Sequence, residues 1–281
     1  MLTWQQTDQY YRDGHTVQPD FLSPDEVAAF IAEIDRIGDG NTLAHHDDTR
    51  MEMEPDQKPD GTLVRRIYEP CQHYEVFRNY AESDALLDEI QQLLGHNLIF
   101  HYSKINMKPG RVGSVVEWHQ DLAYYPLTNR DSLAALLYLD DTTADNGCLQ
   151  VIPGVQGEPL LNHTVDGYFQ GRVTEPVDES TAVPVEGKAG TIIYMNCMTP
   201  HASITNTSDR PRRTLILSYR AADAYPLYCA EMTQSAPEET SYVIRGELAD
   251  TARFTMTEFP IPRYKKKSKS LYELQEESRA G

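Results

Sequence analysis

Trp118-His119-Gln120-Asp121 sets a histidine and an aspartate two residues apart, and residues at that spacing project from the same side of an extended strand. An imidazole nitrogen and a carboxylate oxygen can then reach one point in space. Two ligands on one side of an ion leave positions open for a third ligand and for reactants. A distant histidine in the third place gives the two-His-one-carboxylate triad of non-haem iron(II) chemistry. That third ligand is expected far downstream, on a strand folding back against the first. His201 is the candidate.

Working outward, short β-rich runs surround the motif, at residues 98–107, 112–118, 133–140, 148–152, 191–196, 201–205 and 214–219. Asn, Asp, Pro and Gly clusters separate them, as expected of strands joined by turns. A helical preface comes before. Residues 4–13 read as a helix stopped by Gly14, and 16–18 as a strand. Ser23-Pro24-Asp25-Glu26 is a capping box with proline at the first helical position. The helix it opens carries Val27, Phe30, Ile31, Ile34 and Ile37 on one face and stops near Gly38. Residues 63–68 are extended. Helices are expected at 73–80 and at 83–94, the latter with Leu86, Leu87, Ile90, Leu93 and Leu94 at helical spacing. The fold class is mainly β, a jelly-roll core flanked by helices. It is expected as one domain over 1–281: preface 1–97, core 98–220, C-terminal extension 221–281.

Between Gly38 and Gly61 the pattern dissolves. A loop of this length is functional or disordered, and His45-His46 within it lacks a third partner at ligand spacing. Glycine at both ends gives the stretch the makings of a lid over bound substrate.

The charge is 25 basic against 43 acidic residues, a net of −18. A field of that sign repels nucleic acid and anionic membranes, so any anion site needs local arginines. The longest uncharged apolar run, near 133–139, falls short of a membrane span. The N-terminus shows no basic region followed by an apolar segment. Cys71, Cys148, Cys197 and Cys229 show no Cys-x-x-Cys spacing and read as reduced, buried thiols of a cytoplasmic protein. The basic run 263–269 reads as a tail lying on the acidic body or disordered.

Several weak features fall in one order. Asp140-Asp141 ends a strand, and Asp145-Asn146-Gly147 makes a turn into Cys148-Leu149-Gln150-Val151-Ile152-Pro153-Gly154. Gly190-Thr191-Ile192-Ile193-Tyr194 then leads to Pro200-His201, and Arg212 follows. In this order, from about Ser103 to Tyr219, the chain resembles the phytanoyl-CoA dioxygenase-like family of iron(II)- and 2-oxoglutarate-dependent oxygenases. The resemblance implies a double-stranded β-helix with helices on one side. It implies His119, Asp121 and His201 as iron ligands and Arg212 on the far carboxylate of 2-oxoglutarate, with O₂ as the other reactant. It also places Gln120, Ser203 and, less strongly, Lys104 beside the cofactor. A planar guanidinium fork suits a carboxylate better than an ammonium. Arg212 shares strand parity with Thr214, Ile216 and Ser218, whereas Arg213 faces the other way.

There are departures. Val155-Gln156 stands where the family often has Ser-His, read as an outer-loop change. Leu137 stands where some members have an aromatic near the cofactor. Halogenating relatives replace the aspartate by Gly or Ala, so Asp121 points to hydroxylation or desaturation. Intact ligand residues argue against a non-catalytic jelly-roll binding module. Arg212 and Asn146-Gly147-Cys148-Leu149 argue against a cupin-type metalloenzyme without a 2-oxo acid. Tyr124, Tyr125, Arg65, Arg66 and Tyr68 are candidate substrate contacts. The acidic loop and chain favour a small free substrate, such as an amino-acid derivative or natural-product intermediate. An acyl-CoA thioester is the alternative, and Arg65 and Arg66 could hold a single carboxylate or phosphate.

Overall fold

Thr3 and Gln6 bond reciprocally at the start of helix α1 (Trp4–Asp13), and Gly14, with φ of 78°, ends it. No larger residue fits there, since a Cβ would stand 2.3 Å from the Thr199 hydroxyl. The chain turns directly into strand β1 (His15–Gln18). Ser23 and Glu26 form the expected capping box on α2 (Pro24–Gly38), which buries Val27, Phe30, Ile34 and Ile37. Each such side chain contributes about 1.5–3 kcal/mol by leaving water. The structure, a computed structural model, describes residues 1–227, 241–264 and 271–280.

After α2 come β2 (Met51–Met53), β3 (Val64–Tyr68), α3 (Pro70–His73), α4 (Glu75–Ala81) and α5 (Asp84–Leu94). The helix expected at 73–80 is thus two short ones, divided by extended Tyr74. The core strands follow: β4 (Leu98–Lys108), β5 (Val116–His119), β6 (Ser132–Tyr138), β7 (Leu149–Val151), β8 (Thr164–Val165), β9 (Tyr168–Phe169), β10 (Val183–Val185), β11 (Ile192–Asn196), β12 (His201–Ser203), β13 (Arg212–Ala221) and β14 (Tyr242–Arg245). Helix α6 (Leu271–Ala280) closes the described chain.

Among the described residues one sheet runs β1-β11-β6-β13-β4-β3-β2, with β14 also on β4, and a second runs β10-β7-β12-β5. The pairings are antiparallel, and the two sheets make the jelly roll. Alternation along β6 shows the layering. Leu133, Ala135, Leu137 and Leu139 join the core under α2, α4 and α5. Ala134, Leu136 and Tyr138 meet Leu149, Val151 and Val185 of the second sheet. Covered on both faces, β6 is buried along its whole length.

The expectation for 38–61 is corrected. The stretch 38–61 is not an unbroken loop, because β2 pairs with β3 and buries Met51 and Met53. Helix α6 had no counterpart in the sequence reading. The basic run from Lys265 to Lys269, and Cys229, lie outside the described residues; Cys71, Cys148 and Cys197 are buried free thiols. Among the described residues no helix is long and apolar enough to cross a membrane.

Candidate active site

β5 and β12 are neighbours in the smaller sheet, and His119 and His201 are direct cross-strand partners. A bulge follows at once, so Ser203 pairs with Val116. Bulges of this kind re-aim side chains beside sites. Asp121 lies just beyond β5, at the start of a 3-10 turn; extended Gln120 keeps it on the same side as His119. One ligand atom from each of His119, Asp121 and His201 falls within 4.8 Å of the others. Both imidazoles are oriented from behind, His119 Nδ1 by the Glu117 carbonyl at 2.8 Å and His201 Nδ1 by the Thr199 carbonyl at 3.0 Å. That fixes Nδ1–H and leaves each Nε2 lone pair free. Each Nε2 stands 3.9 Å from Asp121 Oδ1. Burial, and then His201, hold His119 well below its ordinary pKa; burial lowers that of His201 against the opposing pull of Asp121. Two neutral imidazoles and a carboxylate converging this closely form a donor set for a divalent ion.

The three open into a cavity of about 50 Å³ between the sheets. Its apolar wall includes Val116, Ala134, Leu136, Leu149, Met195 and Ile216. Its polar lining is basic. Lys104, Lys108 and Arg212 face a single lining carboxylate, Asp121, so the acidity of the whole chain does not extend inside. Arg212 is buried, and its Nε and Nη2 both donate to the Gly147 carbonyl while Nη1 donates to the Thr214 hydroxyl. Three of the five guanidinium N–H donors are used, leaving two. Arg213 points the other way, onto Asp140 at 2.7 Å and Asp35 at 3.6 Å. Arg212 and Arg213 thus face opposite sides of β13, as alternation along a strand requires. Burial depresses Lys104 to about 8. Burial also lowers Lys108, whose ammonium donates to the Ser114 carbonyl.

Other candidates are placed differently. Ser203 lines the cavity. Gln120 turns away from it, donating to the Met198 carbonyl and accepting from Leu161 N–H. Its place between two residues of one parity forces this, so the expectation that it lines the cavity is corrected. Leu137 belongs to the helix-side core, and neighbouring Tyr138 supplies the aromatic wall instead. Tyr125 packs against His101 and Tyr102 rather than the cavity. Tyr124 sets its ring edge-on to His119 at 5.6 Å and donates to the Gly171 carbonyl. Tyr68 donates to Glu52. Arg65 and Arg66 both lie over the ring of Tyr272, at 4.2 and 4.9 Å. Adjacent residues share a side because Arg65 is the extra residue of a bulge against β2, where Glu52 pairs with Arg66 and Met53 with Val64. Gln156 donates to the Tyr11 carbonyl, at the outer loop where the Ser-His departure was placed.

Residues 10–214 match the family described as phytanoyl-CoA dioxygenase. The chain belongs to that family. A probable alpha-ketoglutarate-dependent hypophosphite dioxygenase of Stutzerimonas stutzeri is 31% identical over 230 residues, 79% of this chain and 80% of the relative. The ectoine dioxygenase of Sphingopyxis alaskensis is 30% identical over 230 residues, 75% of this chain and 73% of the relative. Among solved structures, EctD from S. alaskensis with bound Fe gives a TM-score of 0.68 at 26% identity over 88% of each chain. The same protein with 2-oxoglutarate and 5-hydroxyectoine gives 0.64 at 26% identity, over 79% of this chain and 77% of that one. As a phytanoyl-CoA dioxygenase family member the protein is a dioxygenase with a jelly-roll core.

Several cavity residues escaped the sequence reading. Asn106 and Lys108 continue the alternation that begins at Lys104 along β4, and polar residues at that period in an apolar strand were the available signal. Thr214 follows from the parity of Arg212, whereas Tyr138 follows only from its pairing with Thr214 across β6 and β13. Tyr272 had no signal, since it comes from a helix at the far end of the chain.

Proposed function

We propose that this protein hydroxylates an unactivated C–H bond of a small molecule, consuming iron-bound 2-oxoglutarate and O₂ and releasing succinate and CO₂. The observation that carries the reading is the convergence of His119, Asp121 and His201 within 4.8 Å, in a cavity that also holds buried Arg212. Iron(II), when bound, supplies the O₂ activation that couples decarboxylation of the 2-oxo acid to oxidation of the substrate.

The chain's own residues do the rest. His119 and His201 offer Nε2 and Asp121 its carboxylate, leaving positions open for reactants. The two remaining N–H donors of Arg212 and the hydroxyl of Thr214 receive the far carboxylate of 2-oxoglutarate. Lys104 and Ser203 add donors beside it. The apolar wall excludes water, which strengthens each of these contacts.

A small substrate is supported by Tyr272 of α6, which lines the cavity together with Asp121, His201 and Arg212. Relatives named for ectoine and hypophosphite support it too. An acyl-CoA thioester would require α6 to move aside. The free thiols at Cys71, Cys148 and Cys197 support a reducing, cytoplasmic setting.

The test is an anaerobic titration with iron(II) and 2-oxoglutarate, watching for the weak visible charge-transfer band of the chelate. Formation of the band at one equivalent of iron is expected. Its absence from folded protein would overturn the reading.

A further inference from the structure

Arg66 is 5% exposed, and its Nη2 has no hydrogen-bond partner among the described residues. Its Nε donates to the Asn106 side chain at 3.0 Å, and Asn106 lines the cavity. No carboxylate among the described residues pairs with it. The nearby acids are taken by its neighbour, since Arg65 holds Glu52 at 2.6 Å and Glu276 at 3.6 Å. The rings of Tyr272 and Tyr68 lie under the guanidinium at 4.9 and 5.8 Å, which steadies it without neutralising it. A buried cation with unused donors is unfavourable unless an anion completes it.

Position says which anion. Arg66 pairs with Asn106, and Asn106 with Thr214, so it shares one cross-strand row with the proposed 2-oxoglutarate residues. It stands two strands from β13, which at sheet spacing is about 9–10 Å. Arg212, on β13, is turned onto the Gly147 carbonyl, whereas Arg66 is held over the rings of Tyr272 and Tyr68, so the two guanidiniums are steadied by different neighbours.

We propose that Arg66 anchors an acidic group of the substrate, and that the substrate is a small oxyacid: a carboxylic acid or a phosphorus acid. This rests on the proposed oxygenase reading and narrows its substrate class. Carboxylates and phosphorus oxyanions both offer oxygens to a guanidinium fork, while Tyr272 limits the size of what is attached.

The experiment compares wild type with Arg66→Met and Arg66→Lys. Probes are small carboxylic acids, methylphosphonate, hypophosphite, neutral alcohols, amines and a CoA thioester. Acids of one of the two kinds are expected to perturb the chelate band of the iron(II)–2-oxoglutarate protein and to stimulate succinate release. Arg66→Met should raise KM for the active acid at least 100-fold and leave the 2-oxoglutarate affinity within about twofold, with Arg66→Lys between. It should also raise the Tm of ligand-free protein, where an arginine serving only the fold would lower it. Should Arg66→Met fail to fold, Arg66→Gln takes its place.

Thermal stabilisation of metal-free protein by the same acids, lost in the variant, tests the anchor even if no chelate forms. Failure of the oxygenase reading is thereby separable from failure of this one. Productive turnover confined to neutral molecules, amines or thioesters would overturn the proposal. So would an equal loss of 2-oxoglutarate and acid binding in Arg66→Met.

Discussion

The carbonyl of Gly147 accepts from both Nε and Nη2 of Arg212, at 3.1 and 2.6 Å, so the turn before β7 aims the guanidinium of β13. Gly147 sits at φ of 79°, and a Cβ there would come within 2.5 Å of the Ile204 carbonyl. A left-handed alanine costs about 1–3 kcal/mol before any clash, and the turn must shift. Gly147→Ala is therefore expected to weaken 2-oxoglutarate binding at least tenfold while iron binding persists. Equilibrium titration of the two ligands separately checks this, and unchanged affinity would mean that the clamp does not position Arg212.

Removal of the guanidinium itself should do more. Arg212→Ala is expected to cost 2-oxoglutarate on the order of 2–5 kcal/mol, the worth of a desolvated charge-assisted pair. Arg213→Ala breaks the outward contacts to Asp140 and Asp35 instead, so it lowers Tm and leaves the affinity alone. Equal losses of affinity at both positions would refute the division of roles.

The three proposed ligands predict a common phenotype. His119→Ala, Asp121→Ala and His201→Ala should each abolish turnover and stoichiometric iron binding, with circular dichroism close to wild type. Substantial 2-oxoglutarate decarboxylation in any two of them would dismiss the triad.

Much of this was legible because local rules act over short spans. The capping boxes at Thr3 and Ser23, the glycine stops and the apolar faces of α2 and α5 depend on residues within a turn of one another. The strand parity that separates Arg212 from Arg213 is equally local. What escaped depends on register between distant segments. A bulge in β3 brings Arg65 and Arg66 to one side, where alternation alone would divide them. Met51–Met53 is too short and too acidic in context to read as a strand until β3 is there to pair with it. Gln120 was placed by resemblance although its parity already turned it away. Tyr272 reaches the cavity from a helix whose apolar pattern is weak, so only packing reveals it.

Lys104 gives a pH signature. Burial lowers it from its ordinary 10.5 to about 8, and Asp121 works against that shift. A bound dianion favours the ammonium, so 2-oxoglutarate affinity should be flat below about pH 8 and weaken above it. The stability term has the opposite sense. Between about 8 and 10.5 the unfolded chain binds more protons at this site, so the contribution of Lys104 to stability rises with pH through that window. Lys104→Met should flatten both curves relative to wild type. Parallel pH profiles in the two proteins would remove Lys104 from the site.

Gln275 couples the C-terminal helix to the ligand strand. Fully buried, it accepts from Glu117 N–H at 2.9 Å and donates to the Gly171 carbonyl at 2.6 Å. Glu117 is the residue whose carbonyl orients His119. Arg172 donates to Ser278, and Arg279 meets Glu117 at 3.2 Å, so several contacts hold α6 in place. Gln275→Leu leaves a buried N–H and a carbonyl without this partner, at a cost of about 1–3 kcal/mol each. The helix that carries Tyr272 over the cavity should then detach more often, admitting water. The expected result is faster proteolytic cleavage near α6 and more 2-oxoglutarate consumed per substrate oxidised, with iron affinity little changed. Gln275→Glu keeps one acceptor and should fall between. Wild-type coupling together with wild-type protease resistance in Gln275→Leu would mean that α6 does not close the site.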